Sequence, residues 1–254
     1  MNRFSRTRQL IGREGLERLR DARVMVAGLG AVGSYALEGL ARAGVGSLRI
    51  VDFDTVHPSN INRQLLALDS TAGRPKVDVA AERIRDINPD CTVDARAEFI
   101  RRSTVDALLD PPCDAVIDAI DSLGPKVALL SAAARRGIFV VSSMGAAIRT
   151  DPMAVRVADL SHTRHCPLAR LVRKRLRRQG VHSGIQCVYS IEPVDAASAP
   201  DGGGDDESTT DTPDRGRART PLGSLSTVTG IFGLTAATVV LRQLAGPCWP
   251  TRRD

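Results

Sequence analysis

A doubly wound α/β fold with a mostly parallel sheet is what this sequence predicts, on three observations. Of its 254 residues 43% are hydrophobic but only 3% aromatic, so the core must be built from Val, Leu, Ile and Ala. Short apolar runs alternate with helical stretches, the pattern of parallel strands joined by crossover helices. The first such run, 24–28, ends in a Gly28-x-Gly30-x-x-Gly33 turn directly before a helical stretch. Glycines there allow a tight turn and close backbone approach, and the helix start offers N–H groups to a phosphate.

The elements follow in order. Residues 3–20 are basic and polar, with Leu10, Ile11, Leu16 and Leu19 at roughly helical spacing, and read as a helical arm. This sets an arm over 1–22 apart from one domain over 23–254. Strands are expected at 24–28, 48–52, 92–97, 115–118 and 139–142. Helices are expected at 34–44, 75–87 and 125–136, the second stopping before Asn88-Pro89. After residue 150 the alternation ends. Residues 167–178 read as a short basic helix. Residues 195–220 have no apolar period and are rich in Gly, Asp, Pro and Thr, the composition of a flexible loop. Residues 224–244 are apolar again. The uncharged part is shorter than the ~20 residues a membrane span needs, so a buried or interfacial helix is expected and no stable membrane insertion.

A net charge of +6 suits a polyanionic partner such as nucleic acid. The five cysteines are odd in number and include no CxxC pair, which disfavours a disulfide framework and a four-thiolate zinc site. The first residues have no apolar signal core. A cytoplasmic location is expected, with association to a membrane left open.

The chemistry-bearing residues sit where strands end. Asp52 closes the second strand and can accept hydrogen bonds from ribose hydroxyls; Asp54 could serve instead. To this point a redox dinucleotide fits equally well. Asn60, Asn62, Arg63, Gln64 and Lys76 separate the readings. A triphosphate carries charge that must be neutralised before its α-phosphate is attacked, and an Arg and a Lys beyond the ribose acid meet that need. Asp118 and Asp121, in DAIDS, follow the fourth strand at the sheet's ligand edge. A carboxylate beside a triphosphate holds magnesium. Asp118 is expected to close the strand end and Asp121 to face the site.

The order GLGAVG, VDFD, SNINR, GRPK, DAIDS resembles the ThiF, MoeB and HesA-like superfamily of ubiquitin-activating-type enzymes, and the likeness resumes at LGSLSTVTGIFGL. The resemblance implies a Rossmann-like, three-layer fold and formation of an acyl-adenylate with ATP and Mg2+. It implies that Asp52 binds ribose, that Asn60, Arg63 and Lys76 bind phosphates, and that Asp121 is the magnesium-linked carboxylate. Gly28, Gly30 and Gly33 then belong to the ATP site. RFSR resembles the family's N-terminal arginine, which implies a homodimer in which Arg6 reaches into the partner's site.

Two rival classes stand beside this. A protein-modifying adenylyltransferase would activate the C-terminus of a ubiquitin-like sulfur carrier and usually holds zinc with CxxC pairs. A redox module would bind a nicotinamide cofactor. RFSRT, DAIDSLGPK, PLARLVRKRLR and CVYSIEP instead resemble the superfamily's dehydratase branch, which cyclises threonylcarbamoyladenosine beside the tRNA anticodon. That branch implies a modified tRNA as partner, with a cysteine desulfurase or sulfur-acceptor system as a further one. Independently, residues 161–191 contain no acid while Arg170, Arg173, Lys174, Arg175, Arg177 and Arg178 cluster together, a face that could follow a phosphate backbone. Leu168, Leu171, Val172 and Leu176 give the same helix a narrow apolar face. Cys187 reads as a small buried side chain in a strand. His57, His162, His165 and His182 lack metal-ligand spacing.

Overall fold

The computed structural model describes residues 3–193 and 222–250; the loop expected at 195–220 lies outside them. Seven strands form one sheet: β1 (Arg23–Ala27), β2 (Ser47–Val51), β3 (Thr92–Arg96), β4 (Ala115–Asp118), β5 (Phe139–Ser143), β6 (Val155–Asp159) and β7 (Ile185–Ser190). Their order is β3-β2-β1-β4-β5-β7-β6, parallel throughout except for the antiparallel β6–β7 pair. The five expected strands all form, within about a residue at each end. The reversal at β6–β7 lies beyond the stretch where strands and helices alternate.

Both faces of the sheet are covered, which is why the central strands are apolar without alternation. On one face Val24, Val26, Leu48 and Ile50 meet α2 (Gly33–Ala43), α3 (Lys76–Ile87) and α7 (Ser226–Ala245). On the other, Met25, Val51, Val116 and Val140 meet α4 (Val105–Leu108), α5 (Leu123–Arg135) and α6 (Pro167–Arg177). The result is three layers of aliphatic core.

The apolar C-terminal segment is a core helix. α7 lies along α2 so closely that a Cβ on Gly233 would come within 2.3 Å of the Val32 carbonyl oxygen. It is long and apolar enough to cross a membrane by composition, but half of its most apolar window is buried in the fold. Gly233 beside Val32 and Ala237 beside Gly39 set α7 parallel to α2, so both helices start at the carboxyl edge of the sheet.

α1 (Ser5–Asp21) is docked rather than a free arm. It kinks at Gly12 (φ 76°) and buries Phe4, Ile11, Leu16 and Leu19. Ile11 takes the inward position, leaving its neighbour Leu10 turned to solvent, unlike the expected helical face. Arg3 donates to the Ile87 carbonyl (2.6 Å) at the end of α3, and the Gly46 N–H donates to the Leu19 carbonyl (3.0 Å) ahead of β2. Both anchors lie at the amino edge of the sheet.

One buried ion pair ties three central elements together. Lys126, on α5, donates to Asp118 at the end of β4 (2.6 Å) and to the Ser142 hydroxyl on β5 (3.3 Å). Ser142 donates to the same carboxylate (2.6 Å), and both charged side chains are wholly buried. The other Asp118 oxygen accepts the Ile120 N–H (3.1 Å) and so shapes the turn into DAIDS. Asp118 thus closes the strand end, as expected, while Lys126 is a partner that sequence reading did not single out. Removing one member of such a pair strands a buried charge. Lys126→Met should cost about 3–5 kcal/mol in urea unfolding, and Asp118→Asn added to it should recover most of that loss. A cost under about 1 kcal/mol would show that the pair does not hold the sheet centre.

Candidate functional site

In an open α/β sheet the crevice forms where the chain direction across the sheet reverses. Here that point lies between the carboxyl ends of β1 and β4. Gly28 leaves β1 with φ 86°, and a Cβ on it would stand 2.8 Å from the Ala119 carbonyl oxygen. A Cβ on Gly33 would stand 1.7 Å from the Gly28 carbonyl oxygen. Packing therefore demands both glycines. At Gly30 a Cβ would meet only the Gln64 amide, at 3.8 Å. That glycine answers no crowding within the chain and suits the close approach of a phosphate. No side chain caps the start of α2.

Asp52 sits just past β2 and is buried. One carboxylate oxygen accepts the Leu29 N–H (2.6 Å), the other the Asp54 N–H (2.9 Å). It thus braces the glycine turn as well as facing the crevice. Burial pushes its pKa above the ordinary carboxylate value, while Lys76 and the two N–H bonds pull it back. Strained titration of this kind is common at ligand sites. Lys76 is itself buried and donates to Asp54 at 3.1 Å, whose side chain is half exposed. The two acids differ in their partners: Asp52 holds the Leu29 N–H of the glycine turn, and Asp54 pairs with the lysine.

The SNINRQ segment folds against the start of α2. His57 and Asn60 cap a short 3-10 turn over Pro58–Asn60, the Asn60 side chain accepting the His57 N–H (3.1 Å). The Leu65 N–H donates to Ser34 Oγ at 3.2 Å, and Gln64 lies beside Gly30. Arg63, half-buried, donates to the Ser59 carbonyl and to Asn62 Oδ1, each at 2.8 Å. The structure therefore gathers Gly28, Gly30, Gly33, Asp52, Asn60, Arg63 and Lys76 around the end of β1. Asp121 is exposed at the carboxyl end of β4, accepting from Ser122 at 3.2 Å. Arg6 is not part of this group: it is exposed, one turn from the Arg3 anchor, at the opposite edge of the sheet.

The basic helix forms as α6. Ala169, Val172 and Leu176 are buried, and Arg170, Lys174, Arg175, Arg177 and Arg178 are exposed. Arg173 differs from the expectation. Its Nη1 donates to the Leu160 carbonyl (2.9 Å), the Thr163 carbonyl (3.3 Å) and Thr163 Oγ1 (2.7 Å). Those bonds fasten the helix to the preceding turn and take Arg173 out of the exposed cationic face. Cys187 is fully buried on β7, and burial pushes its thiol pKa far up, as befits a core side chain.

Two buried cations, one structural and one a functional candidate, escaped sequence reading. Lys126 could have been found, as the lone charge in the otherwise apolar run LGPKVALLSAAA. Arg149, in IRTDP, carries no such signal, because one arginine in a loop reads as a surface charge. It is 2% exposed, and Nη2 donates to the His165 carbonyl at 2.9 Å. Arg149 lines a cavity of about 540 Å3.

The comparisons with known proteins give the family and the fold. The model of the ThiF family matches residues 4–253. The chain is 46% identical over 192 residues to the tRNA threonylcarbamoyladenosine dehydratase of Bacillus subtilis, covering 76% of each. It is 36% identical over 249 residues to the Escherichia coli protein of that name, covering 95% of this chain and 93% of that one. The crystal structure of the E. coli dehydratase in complex with ATP superposes with a TM-score of 0.82 at 35% identity, over 95% of this chain and 93% of that one.

Proposed function

The chain belongs to the ThiF family, and on that footing we propose that it is an ATP-dependent dehydratase that cyclises threonylcarbamoyladenosine beside the tRNA anticodon. The observation that carries the reading is one crevice at the end of β1. There a packing-enforced glycine turn, a buried acid and a loop bearing Arg63 meet beside Lys76.

The threonyl carboxylate is anionic and a poor electrophile. Its attack on the α-phosphate of ATP makes a mixed anhydride with AMP and releases pyrophosphate. Negative charge gathers on the phosphate oxygens, where fixed cations are worth most. Arg63 and Lys76 supply them, Lys76 exchanging the half-exposed Asp54 for a phosphate oxygen. Asp52 receives the ribose hydroxyls, and Asn60 adds a polar contact. The carbamoyl part of the same nucleotide then attacks the activated carbonyl and expels AMP, with net loss of one water. No protein nucleophile is needed, consistent with the burial of Cys187.

Asp121 suits magnesium. Asp118 is taken by Lys126, so of the two acids in DAIDS Asp121 is the exposed one. One carboxylate completed by phosphate oxygens and water is a usual way to hold this ion. Magnesium held there would offset charge on the departing pyrophosphate. Arg6 belongs to the amino edge of its own sheet, so its reading as a finger rests on a homodimer in which it enters the partner's crevice. The exposed arginines of α6 would follow the tRNA backbone, in a cytoplasmic enzyme.

ATP–pyrophosphate exchange, run with and without modified tRNA, tests the reaction. Asp121→Ala should abolish exchange while leaving the circular dichroism spectrum unchanged; near-normal exchange would remove Asp121 from the site. For Arg6, an Arg6→Ala chain mixed with an Asp121→Ala chain should regain part of the activity, since some heterodimers then hold one complete site. Lack of recovery after verified subunit exchange would refute action across the dimer. For α6, replacing Arg170, Arg177 and Arg178 by Gln should make the log–log salt dependence of tRNA binding shallower by up to about 2.7 units if all three touch duplex phosphates. An unchanged slope would make α6 a solvated face only.

A further inference from the structure

Beyond the carboxyl end of β5 lies the cavity of about 540 Å3, lined by Ile148, Arg149, Thr150 and residues 222–225. Its size is within the range of small-molecule sites. Ile148, Leu222 and Leu225 give it apolar walls. Its cation is Arg149, 98% withdrawn from solvent by its 2% exposure. One guanidinium nitrogen is used by the His165 carbonyl; Nε and Nη1 have no hydrogen-bond partner among the described residues. Unanswered donors on a buried charge are costly, and native folds rarely retain them without a use. The nearby groups do not neutralise it. Cys166 offers a thiol, and the Glu192 carboxylate favours the charge from nearby, but its bonds go to the Thr150 and Asp151 N–H groups and the Thr150 hydroxyl, so it leaves Nε and Nη1 unbonded.

The cavity's position links two parts of the proposed enzyme. On one side, the Ile148 N–H donates to the Gly223 carbonyl (2.8 Å), and Asn62 donates to the neighbouring Ser224 carbonyl (3.4 Å). One short segment thus separates the cavity from the loop that bears Arg63. On the other side, the His165 carbonyl that Arg149 grips lies two residues before α6, the basic helix. The cavity is thus joined through Arg149 to the turn that leads into α6.

We propose that this cavity seats the threonylcarbamoyl arm of the modified adenosine, with Arg149 pairing to its carboxylate and Ile148, Leu222 and Leu225 packing on its methyl-bearing carbons. The inference rests on the dehydratase reading above. A carboxylate fits better than a backbone phosphate for two reasons. A single buried cation matches a monoanion, and apolar walls beside it match the methyl group that threonine carries next to its carboxylate. Arg149 then distinguishes modified from unmodified tRNA, because unmodified adenosine brings no anion to satisfy its donors.

The test compares the full-length parent chain with Arg149→Met and Arg149→Lys. For Arg149→Met the KM for modified tRNA should rise by about 10- to 100-fold, the range of a lost charge-assisted hydrogen bond. Affinities for ATP and for unmodified tRNA should stay at parent values. Its melting temperature should equal or exceed the parent's, since a buried charge with unmet donors is gone. Arg149→Lys, which keeps the charge, should lie between the two in KM. The free nucleoside N6-threonylcarbamoyladenosine should raise the melting temperature of the parent but not of Arg149→Met, and adenosine should raise neither. An unchanged KM in Arg149→Met, with the parent active, sinks the pocket assignment alone. An equal loss of unmodified-tRNA binding makes Arg149 a phosphate clamp and also sinks it. If both variants lose the fold, the guanidinium is structural and the assignment falls. A parent that turns over no modified tRNA sinks the dehydratase reading and the pocket with it.

Discussion

Two peptide groups in contact set the geometry of the whole carboxyl edge. The Gly28 carbonyl lies where a side chain on Gly33 would have to be, and Gly28 itself presses on the Ala119 carbonyl. β1, α2 and the turn after β4 therefore converge at one point with no side chain between them. That contact aims the start of α2 into the crevice and brings DAIDS beside the glycine turn. Asp52 secures it from a third direction through the Leu29 N–H. Any added methyl group would part these backbones, and overpacking of this sort is not absorbed by small adjustments when the obstacle is backbone.

Around that contact the charges divide into those that are committed and those that can exchange. Asp118 and Lys126 are both wholly buried and also share Ser142, so separating them would leave two ions in the core. They are structural. Lys76 and Asp54 form a different kind of pair: the lysine is buried, but its partner is half exposed. Water can take over Asp54 at little cost, which leaves Lys76 available to a stronger anion. Arg63 is held by a carbonyl and an amide oxygen, neither of them charged. A triphosphate outbids neutral acceptors for a guanidinium. Burial of the partner, rather than the presence of a cation, separates a lysine that can exchange its anion from a scaffold lysine here.

Much of the scaffold was legible because it obeys local rules. Apolar runs of strand length, helices ending at Gly44 and before Asn88-Pro89, and a glycine turn between strand and helix each announce themselves within a few residues. The role of Asp118 in closing the strand end was legible too, since it is the last residue of an apolar strand-length run. Three features were not. β6 pairs antiparallel to β7, the near end joining Asp159 to Gln186, 27 positions on, and no local period reports such a pairing. Arg173 turns inward because Leu160 and Thr163 place carbonyls within its reach, a fact of the preceding turn and not of the helix. Arg149 bonds the His165 carbonyl and shares its cavity with residues 222–225, both distant in sequence, so nothing beside it marks it.

The hidden residues lie in the part of the chain that follows the nucleotide-binding half. β1 to β4 with their helices carry the glycine turn and Asp52, and β6, β7, α6 and the segment leading into α7 are added beyond them. These additions offer anions two unlike receptions. The exposed arginines of α6 attract phosphates from a distance but are screened by salt and read no sequence. Arg149 is shielded and acts only at contact, where an unpaired donor penalises the wrong ligand as much as it rewards the right one. Long-range attraction without discrimination and short-range discrimination without reach complement each other. A polyanion bearing one distinctive carboxylate is the kind of substrate that requires both.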